Sequence, residues 1–235
     1  MTKVLVTGVG GGGNGEQLVK ALRLSTISYI VVGTDLTVSA AQQSGADYCE
    51  ALPRANDPGY LDALLDVCAR HKVDVLLPGS EPELHLMARH ETRIRDQVAL
   101  LAVNDKALID ICSNKFQTAE FLAAHGFDSP ASWLVSSVED LESITHFPLI
   151  VKPTVGGGSQ NVYLIQNRDE LKMICGFLLG YYDSVLVQEY VGRADQEFTV
   201  GVLFDGEGRL INSIALNRFI LTSLSNRIRV PNRTD

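Results

Sequence analysis

The chain has 235 residues, a formal net charge of −8 and apolar residues at 46% of its positions. This composition is typical of a globular protein with enough chain for two modest domains, so intrinsic disorder is not expected. The acidic balance argues against nucleic acid and against an anionic membrane as partners, because no basic stripe dominates the sequence.

The cysteines and the start of the chain indicate where the protein works. The cysteines stand singly without an interleaved histidine, which excludes a zinc motif and predicts buried, reduced thiols. They are Cys49, Cys68, Cys112 and Cys175. Met1 leads directly into an apolar strand, and no apolar run reaches membrane-spanning length. We therefore expect a cytoplasmic protein.

Residues 1–103 alternate strands with helices, which predicts a doubly wound, Rossmann-like parallel sheet. The predicted strands are Val4–Thr7, Tyr29–Val32, Val73–Leu77 and Leu100–Val103. Between the second and third strands, Leu61, Leu64, Leu65 and Cys68 share one helix face. Ser80 and Glu83, with Pro82 between them, predict a capping box at the next helix start. We interpret Glu83 as this cap and not as a catalytic residue.

The pattern changes after Asn104, and residues 104–235 are predicted to form a second, α+β domain. Two helices at about 105–111 and 114–125 come first, and Gly126 ends the second. The strand Leu149–Lys152, a glycine run and a helix at about 168–178 follow. Apolar alternation through 198–216, interrupted by a glycine-containing turn, predicts an antiparallel hairpin.

The segment Gly8–Gly13 matches G-x-G-x-x-G between a strand and a helix, and Asp35 ends the next strand. That arrangement favours a nicotinamide dinucleotide site, with the glycines facing an anion. The same glycines are also expected in any doubly wound domain as a tight turn. Asn14 stands where a short-chain dehydrogenase needs glycine, and no Tyr-x-x-x-Lys pair is present. We interpret the turn as architectural, or as a contact for a small anionic substrate.

The segment around Lys152 carries a different chemistry. Lys152 lies at the end of an apolar strand, where an ammonium is costly without an anionic partner. Gly156, Gly157, Gly158 and Ser159 follow it, and their N–H groups and hydroxyl can wrap phosphate oxygens. The lysine precedes the glycines, so this is not a Walker A loop. A plain glycine-rich hairpin with a solvated lysine is the competing interpretation.

A third segment resolves that choice. The strand Val185–Val191 reads Val-Leu-Val-Gln-Glu-Tyr-Val, and Gln-Glu-Phe-Thr-Val follows at 196–200. A lysine at a helix start, strand-Lys-Pro, Gly-Gly-Gly-Ser and these two strands, in this order, resemble the ATP-grasp superfamily. The resemblance covers most of the chain, since that superfamily also has a doubly wound domain in front. Within it, the segment 78–84, Pro-Gly-Ser-Glu-Pro-Glu-Leu, and the spacing of the front domain most resemble the carbamoyl-phosphate synthase large chain and related carboxylate-amine ligases.

The resemblance implies a role for each motif residue in binding ATP. Lys115 and Lys152 would contact its phosphates, and the loop Gly156–Ser159 would cover the triphosphate. The hinge bordering adenine would comprise Gln188, Glu189 and Val191, while Glu197 would accept hydrogen bonds from the ribose hydroxyls. Asn114 replaces the commoner aspartate before Lys115. No catalytic residue is assigned.

The resemblance also implies a reaction and its partners. ATP would phosphorylate a small carboxylate or bicarbonate, and an amine or ammonia would attack the acyl phosphate. A glutaminase subunit is a candidate source of ammonia. The Mg²⁺ ligands that the superfamily uses have no match here and are expected beyond residue 235. We therefore expect a truncated fragment that is inactive alone. The basic residues Arg218, Arg227, Arg229 and Arg233 would face phosphate or form a solvated tail.

Three functions thus stay open on the sequence. The first is an ATP-dependent ligase that forms C–N bonds, or a part of one. The second is an NAD-dependent oxidoreductase using Gly8–Gly13 and Asp35. The third is a non-catalytic ATP-binding module.

Overall fold

A computed structural model describes residues 1–158, 160–192, 196–222 and 225–229, the segments 218–222 and 225–229 by their backbone alone. The chain divides into two compact units, residues 1–110 and 111–235. The predicted fold class, a parallel α/β sheet followed by an α+β domain with antiparallel sheets, is confirmed. The predicted domain boundary between residues 103 and 104 stays a prediction.

The first unit is built on a five-stranded parallel sheet in the order β3-β2-β1-β4-β5. Its strands are β1 (Lys3–Val6), β2 (Ile30–Asp35), β3 (Tyr48–Ala51), β4 (Val75–Leu77) and β5 (Leu100–Leu101). Its helices are α1 (Asn14–Leu24), α2 (Val38–Gln42), α3 (Tyr60–His71), α4 (Glu81–Arg89) and α5 (Glu91–Arg95). The strand order reverses direction between β1 and β4, which is where ligands bind in doubly wound sheets.

The core of this unit lies where α3 packs against the sheet. Leu61, Leu64 and Cys68 are buried at the predicted helical spacing, and they pack with Leu5 and Leu76 of the central strands. Burial of one such side chain stabilises a fold by about 1.5–3 kcal/mol. The predicted apolar face of α3 is therefore confirmed.

The sequence missed strand β3. Tyr48 and Ala51 are exposed, and Cys49 and Glu50 are partly buried, so the strand has no apolar alternation. It lies at the edge of the sheet, paired in register with β2 from Val32 to Asp35. An edge strand of polar composition is held mainly by its backbone hydrogen bonds, which residue patterns do not reveal.

The second unit contains a four-stranded antiparallel sheet in the order β6-β9-β7-β8. Its strands are β6 (Ser132–Val135), β7 (Leu149–Pro153), β8 (Tyr163–Ile165) and β9 (Val185–Glu189). The helices are α6 (Lys106–Ser113), which crosses the boundary between the units, α7 (Lys115–Ala124), α8 (Arg168–Leu179) and a 3₁₀ turn at Val138–Ser143. A second antiparallel sheet contains β10 (Glu197–Phe204), β11 (Leu210–Thr222) and β12 (Ser225–Arg229).

Local residues begin and end α7, and the predicted glycine stop and the predicted hairpin are both present. Asn114 caps α7, its side chain accepting from the N–H groups of Phe116 and Gln117. Gly126 follows α7 at φ +75°, as expected for a glycine stopping a helix. The predicted hairpin forms between β10 and β11, with Asp205 accepting from the backbone N–H of Glu207 inside the turn.

The thiols are less uniformly buried than predicted. Cys68 and Cys175 are buried, and burial raises the pKa of their thiols to about 12 and about 11. Cys112, however, is exposed and Cys49 is partly exposed, so the prediction is wrong for these two. Cys112 lies near the end of α6, a short helix in which Ile109 is the only buried residue. None of the helices in the described parts of the chain has the length and apolar character needed to cross a membrane.

Candidate nucleotide-binding site

The four-stranded sheet of the second unit packs one face against α8, and its other face carries polar side chains among apolar ones. Leu149 and Val151 of β7, with Val185 and Val187 of β9, pack against the α8 side in one buried cluster. Side chains alternate along strands, so Ile150 and Lys152 point to the opposite face. The sheet is thus anchored by α8 on one face and presents Lys152 on the other.

Lys152 has a neutral hydrogen-bond partner in the structure. Its Nζ donates to Oε1 of Gln188 at 2.8 Å. Lys152 stands opposite Leu186 in the register of β7 with β9, so Gln188 is its diagonal neighbour two residues further along. Two residues predicted to bind ATP are therefore in direct contact, and the positive charge is not cancelled by this pair.

Burial lowers the pKa of Lys152 from its ordinary value, and the nearby positive charge of Lys115 lowers it further. Both effects oppose the charged form, which an anion near the two lysines would favour. Lys152 thus has the partial burial and the positive neighbour that a site for an anionic ligand would use.

Lys115 begins α7 and is bound to the glycine loop by two contacts. Its backbone N–H donates to the carbonyl oxygen of Thr154 at 2.8 Å, and its Nζ donates to the carbonyl oxygen of Gly156 at 2.6 Å. The start of α7 and the loop after β7 are thereby held together. The structure thus brings Lys115, Lys152 and Gly156 into one site.

The loop needs glycine for conformation and not for space. Gly156 and Gly158 have φ angles of +114° and +68°, which residues with a side chain rarely adopt. The φ angle of Gly157 lies outside this positive range. A Cβ added at any of the three would meet no atom of the described residues within 4 Å. The loop is therefore open on this side. Ser159, its predicted hydroxyl donor, lies outside the described residues.

The predicted hinge at the end of β9 uses its residues in different ways. Glu189 pairs with β6, since its N–H donates to the carbonyl oxygen of Ala131 at 2.8 Å. The side chain of Gln188 accepts from Lys152, and the predicted role of Gln188 beside adenine stays a prediction. Val191 is 63% exposed, as a group available to a planar ligand would be.

The remaining predicted residues stand apart from this cluster in the chain. Glu197 begins β10 and is partly buried, paired in register with residue 218 of β11. Arg233 lies outside the described residues, as do the side chains of Arg218, Arg227 and Arg229. Their predicted roles stay predictions.

The predicted capping box at α4 is wrong. The Ser80 hydroxyl accepts no hydrogen bond from the helix but donates to Oε2 of Glu83 at 2.6 Å. The other carboxylate oxygen of Glu83 accepts from the hydroxyl of the fully buried Tyr60 at 2.8 Å. Burial raises the pKa of Tyr60, and the negative Glu83 raises it further. Glu83 therefore links α4 to α3 through Tyr60, and its carboxylate is used in this tertiary contact instead of in a cap at the start of α4.

The Gly8–Gly13 turn is tied down by the acid predicted to bind ribose. Oδ2 of Asp35 accepts from the N–H of Gly10 at 2.8 Å, and Oδ1 accepts from Leu36. A Cβ on Gly15 would come within 2.4 Å of the carbonyl oxygens of Thr7 and Gly8. These contacts favour the architectural interpretation of the turn. Both carboxylate oxygens of Asp35 accept from backbone N–H groups, and Gly15 of α1 packs closely against the backbone of the turn.

The first unit nevertheless holds a cavity of about 390 Å³ at the ends of its central strands. Gly8, Asp35 and Glu83 line it, together with Arg54 and Asn56. In the described residues, no group of three or more His, Cys, Asp or Glu side chains is arranged to hold a metal ion.

Comparison with protein families gives the identity of this architecture. Residues 112–230, half of the chain, match the model of the ATP-grasp domain, and residues 4–102 match that of the PylC-like N-terminal domain. The chain belongs to the ATP-grasp family.

The chain is similar to ligases that are longer than itself. It is 22% identical over 126 residues to a "probable alpha-L-glutamate ligase" of Coxiella burnetii, covering 52% of this chain and 42% of that protein. It is 30% identical over 109 residues to the D-alanine–D-alanine ligase of Bacillus anthracis, covering 44% and 34% respectively. The chain thus spans less than half the length of these curated relatives.

A solved structure shares the fold over the whole chain. The N5-carboxyaminoimidazole synthetase of Staphylococcus aureus, complexed with ADP, superposes with a TM-score of 0.71 at 17% identity. It covers 100% of this chain and 59% of its own. At that identity the likeness shows the fold.

Proposed function

We propose that this chain is the ATP-binding portion of an ATP-dependent ligase. The observation that carries the proposal is the pairing of Lys115 and Lys152 at one glycine loop, with the pKa of Lys152 lowered by burial and by Lys115. Burial and the neighbouring positive charge both disfavour the charged form of Lys152, and that form would be favoured by a bound anion. A nucleotide triphosphate supplies that anion.

The arrangement supports a division of labour between the residues. Lys152 and Lys115 would neutralise phosphate charge, and the open loop from Gly156 to Gly158 would cover the phosphates. The end of β9, with Gln188 and the exposed Val191, would border the base. Glu197 is proposed to accept from the ribose hydroxyls, and Ser159 to add a hydroxyl donor to the phosphates.

ATP supplies a γ-phosphoryl group that activates a poor electrophile. We propose that a carboxylate or bicarbonate accepts it and that an amine or ammonia then attacks, as in a C–N bond-forming ligase. The solved relative from Staphylococcus aureus holds ADP, and the curated relatives are ligases by name. The finer proposal of a reaction like that of carbamoyl-phosphate synthase rests on the sequence resemblance.

In such enzymes the protein contributes mainly position and charge neutralisation to phosphoryl transfer. Lys152 is suited to this because the other face of its strand is packed into the core. That packing holds the backbone of Lys152 in place. Magnesium would add charge neutralisation when bound.

Isothermal titration of the chain with ATP, ADP and NAD in turn tests the proposal. Binding of the adenine nucleotides without NAD is the expected result. Binding of NAD without ATP or ADP would overturn it and restore the dinucleotide interpretation of Gly8–Gly13. Release of ADP from ATP, followed with a carboxylate and an amine present, checks the prediction that these 235 residues are inactive alone.

A further inference from the structure

A directional chain of hydrogen bonds leads away from Lys152 across the polar face of the sheet. Lys152 Nζ donates to Gln188 Oε1 at 2.8 Å, and Gln188 Nε2 donates to Ser132 Oγ at 2.9 Å. The Ser132 hydroxyl in turn donates to the carbonyl oxygen of Pro130 at 2.9 Å. Three strands, β7, β9 and β6, are joined by it.

The register of the sheet makes this chain possible. Ser132 stands directly opposite Gln188 in the pairing of β6 with β9, so their side chains share a face. Ile150 faces Gln188 on its other side, and Lys152 follows two residues later on the same face. Directly opposed and diagonal side chains lie close enough to interact in antiparallel sheets.

The chemistry of each group allows one direction along this chain. An ammonium can only donate, so the amide of Gln188 must turn its oxygen toward Lys152 and its NH₂ toward Ser132. A serine hydroxyl has one proton, and here that proton is given to Pro130. The lone pairs of Ser132 are then left to accept from the amide. A flipped amide would set its NH₂ against the ammonium and its oxygen against a hydroxyl oxygen.

We infer that Ser132 is a positioning residue for the nucleotide site, acting through the amide of Gln188 on Lys152. The inference rests on the proposed function, since it assigns Ser132 to the same ATP site. Ser132 holds the amide oxygen on Lys152, and that neutral acceptor fixes the ammonium without cancelling its charge. The full positive charge is thereby kept in place for phosphate.

This assignment explains why the pair is an amide and a lysine. A carboxylate at position 188 would form an ion pair that competes with phosphate for the lysine. A neutral amide orients the ammonium through one hydrogen bond, but its two ends have similar shape and can exchange by rotation. The ammonium already favours the orientation with the oxygen toward it, and Ser132 holds the amide in that orientation by accepting from its NH₂ group.

The test is a double-mutant cycle read as ATP affinity by titration calorimetry. We expect Ser132→Ala to raise the Kd for ATP about three- to tenfold, the worth of one oriented hydrogen bond. Ser132→Thr, which keeps the hydroxyl on a residue suited to a strand, should stay within about twofold of the original protein. Ser136→Ala, on an exposed serine just after β6, serves as the matched control and should leave the Kd unchanged.

The cycle is completed in a Gln188→Met background, where the side chain keeps its length but has no amide to orient. There Ser132→Ala should change the Kd by less than about twofold, because the two positions act as one unit. An equal loss in both backgrounds would show a structural role for Ser132 and overturn the inference. So would an unchanged Kd for Ser132→Ala in the original protein.

Failure of the proposed function looks different. If the original chain binds no ATP, the proposed function falls, and the inference about Ser132 falls with it. If ATP binds and Lys152→Met weakens it while Ser132→Ala does not, the inference alone is wrong.

Discussion

Replacing Lys152 by methionine is the most direct perturbation of the proposed triphosphate site. Methionine keeps most of the length and apolar stem of lysine and removes the ammonium that donates to Gln188 at 2.8 Å. A hydrogen bond to a charged group contributes about 1.5–3 kcal/mol. If that ammonium contacts a phosphate, its loss should therefore raise the Kd for ATP roughly 10- to 150-fold, at 1.4 kcal/mol for each factor of ten.

The stability of the fold should respond in another direction. Because the pKa of Lys152 is lowered in the folded chain, its charge opposes folding at neutral pH, and this penalty is relieved only as the pH rises through the folded pKa. Removing the charge lifts that penalty, while Gln188 loses one hydrogen-bond donor, at a cost of about 1 kcal/mol. We therefore expect the free energy of unfolding to change by no more than about 1 kcal/mol while nucleotide affinity falls.

Titration calorimetry and urea denaturation measure the two effects separately. Lys172→Met is the matched control, because Lys172 is an exposed lysine on α8, which packs on the opposite face of the same sheet. It removes the same charge and should leave the Kd for ATP within about twofold of its original value. The reasoning is refuted if Lys152→Met binds ATP as well as the original chain, or if Lys172→Met weakens binding equally.

Two further predictions concern the glycine loop and the edge of the first sheet. Gly156→Ala and Gly158→Ala should each lower the free energy of unfolding by about 1–3 kcal/mol through backbone strain, or rearrange the loop, and should weaken ATP binding. Gly157→Ala should cost less than about 0.5 kcal/mol. Denaturation and calorimetry measure these effects, and equal effects at the three positions would contradict this prediction. The pKa of Glu50 is lowered by its hydrogen bonds to Arg70 and then to His71, so the stability it contributes is present above its ordinary pKa and is lost as the pH falls through the folded value. Glu50→Gln should accordingly destabilise the chain by up to about 1 kcal/mol at pH 7, and this difference should shrink as the pH falls below the ordinary pKa of a glutamate. Asp66→Asn, on the more exposed partner of Arg70, should have a smaller effect in the same denaturation series. A difference that does not shrink on acidification would count against the assignment.

The sequence predicted those helices and strands whose buried residues recur with a regular apolar period. The face of α3 and the strands β1 and β4 could be found because their residues are buried in a repeating order. Strand β3 could not, since it lies at an edge with exposed Tyr48 and Ala51. Strand β6 was missed for a related reason, because its four residues include Ser132 and an exposed Leu134.

The residues of the candidate site divide in the same way. Lys152 and the glycines were found because an ammonium beside an apolar strand and a glycine run are conspicuous in any sequence. The roles of Glu83 and Ser132 were not found, because each depends on a residue distant in the chain. Glu83 meets Tyr60 across 23 positions, and Ser132 meets Gln188 across 56. Such contacts follow from strand order and register, which local patterns do not fix.

The two lysines therefore differ in how the fold supports them. Lys115 is held by a helix start and by the carbonyl of Gly156, a loop residue whose own conformation depends on glycine. Lys152 is held by a strand packed on α8 and by an amide that a second strand fixes. A contact to a loop can be exchanged when a ligand arrives, whereas a contact within a sheet persists. Lys152 is thus the fixed reference point of the proposed phosphate site, and Lys115 is the group that can move with the loop that covers it.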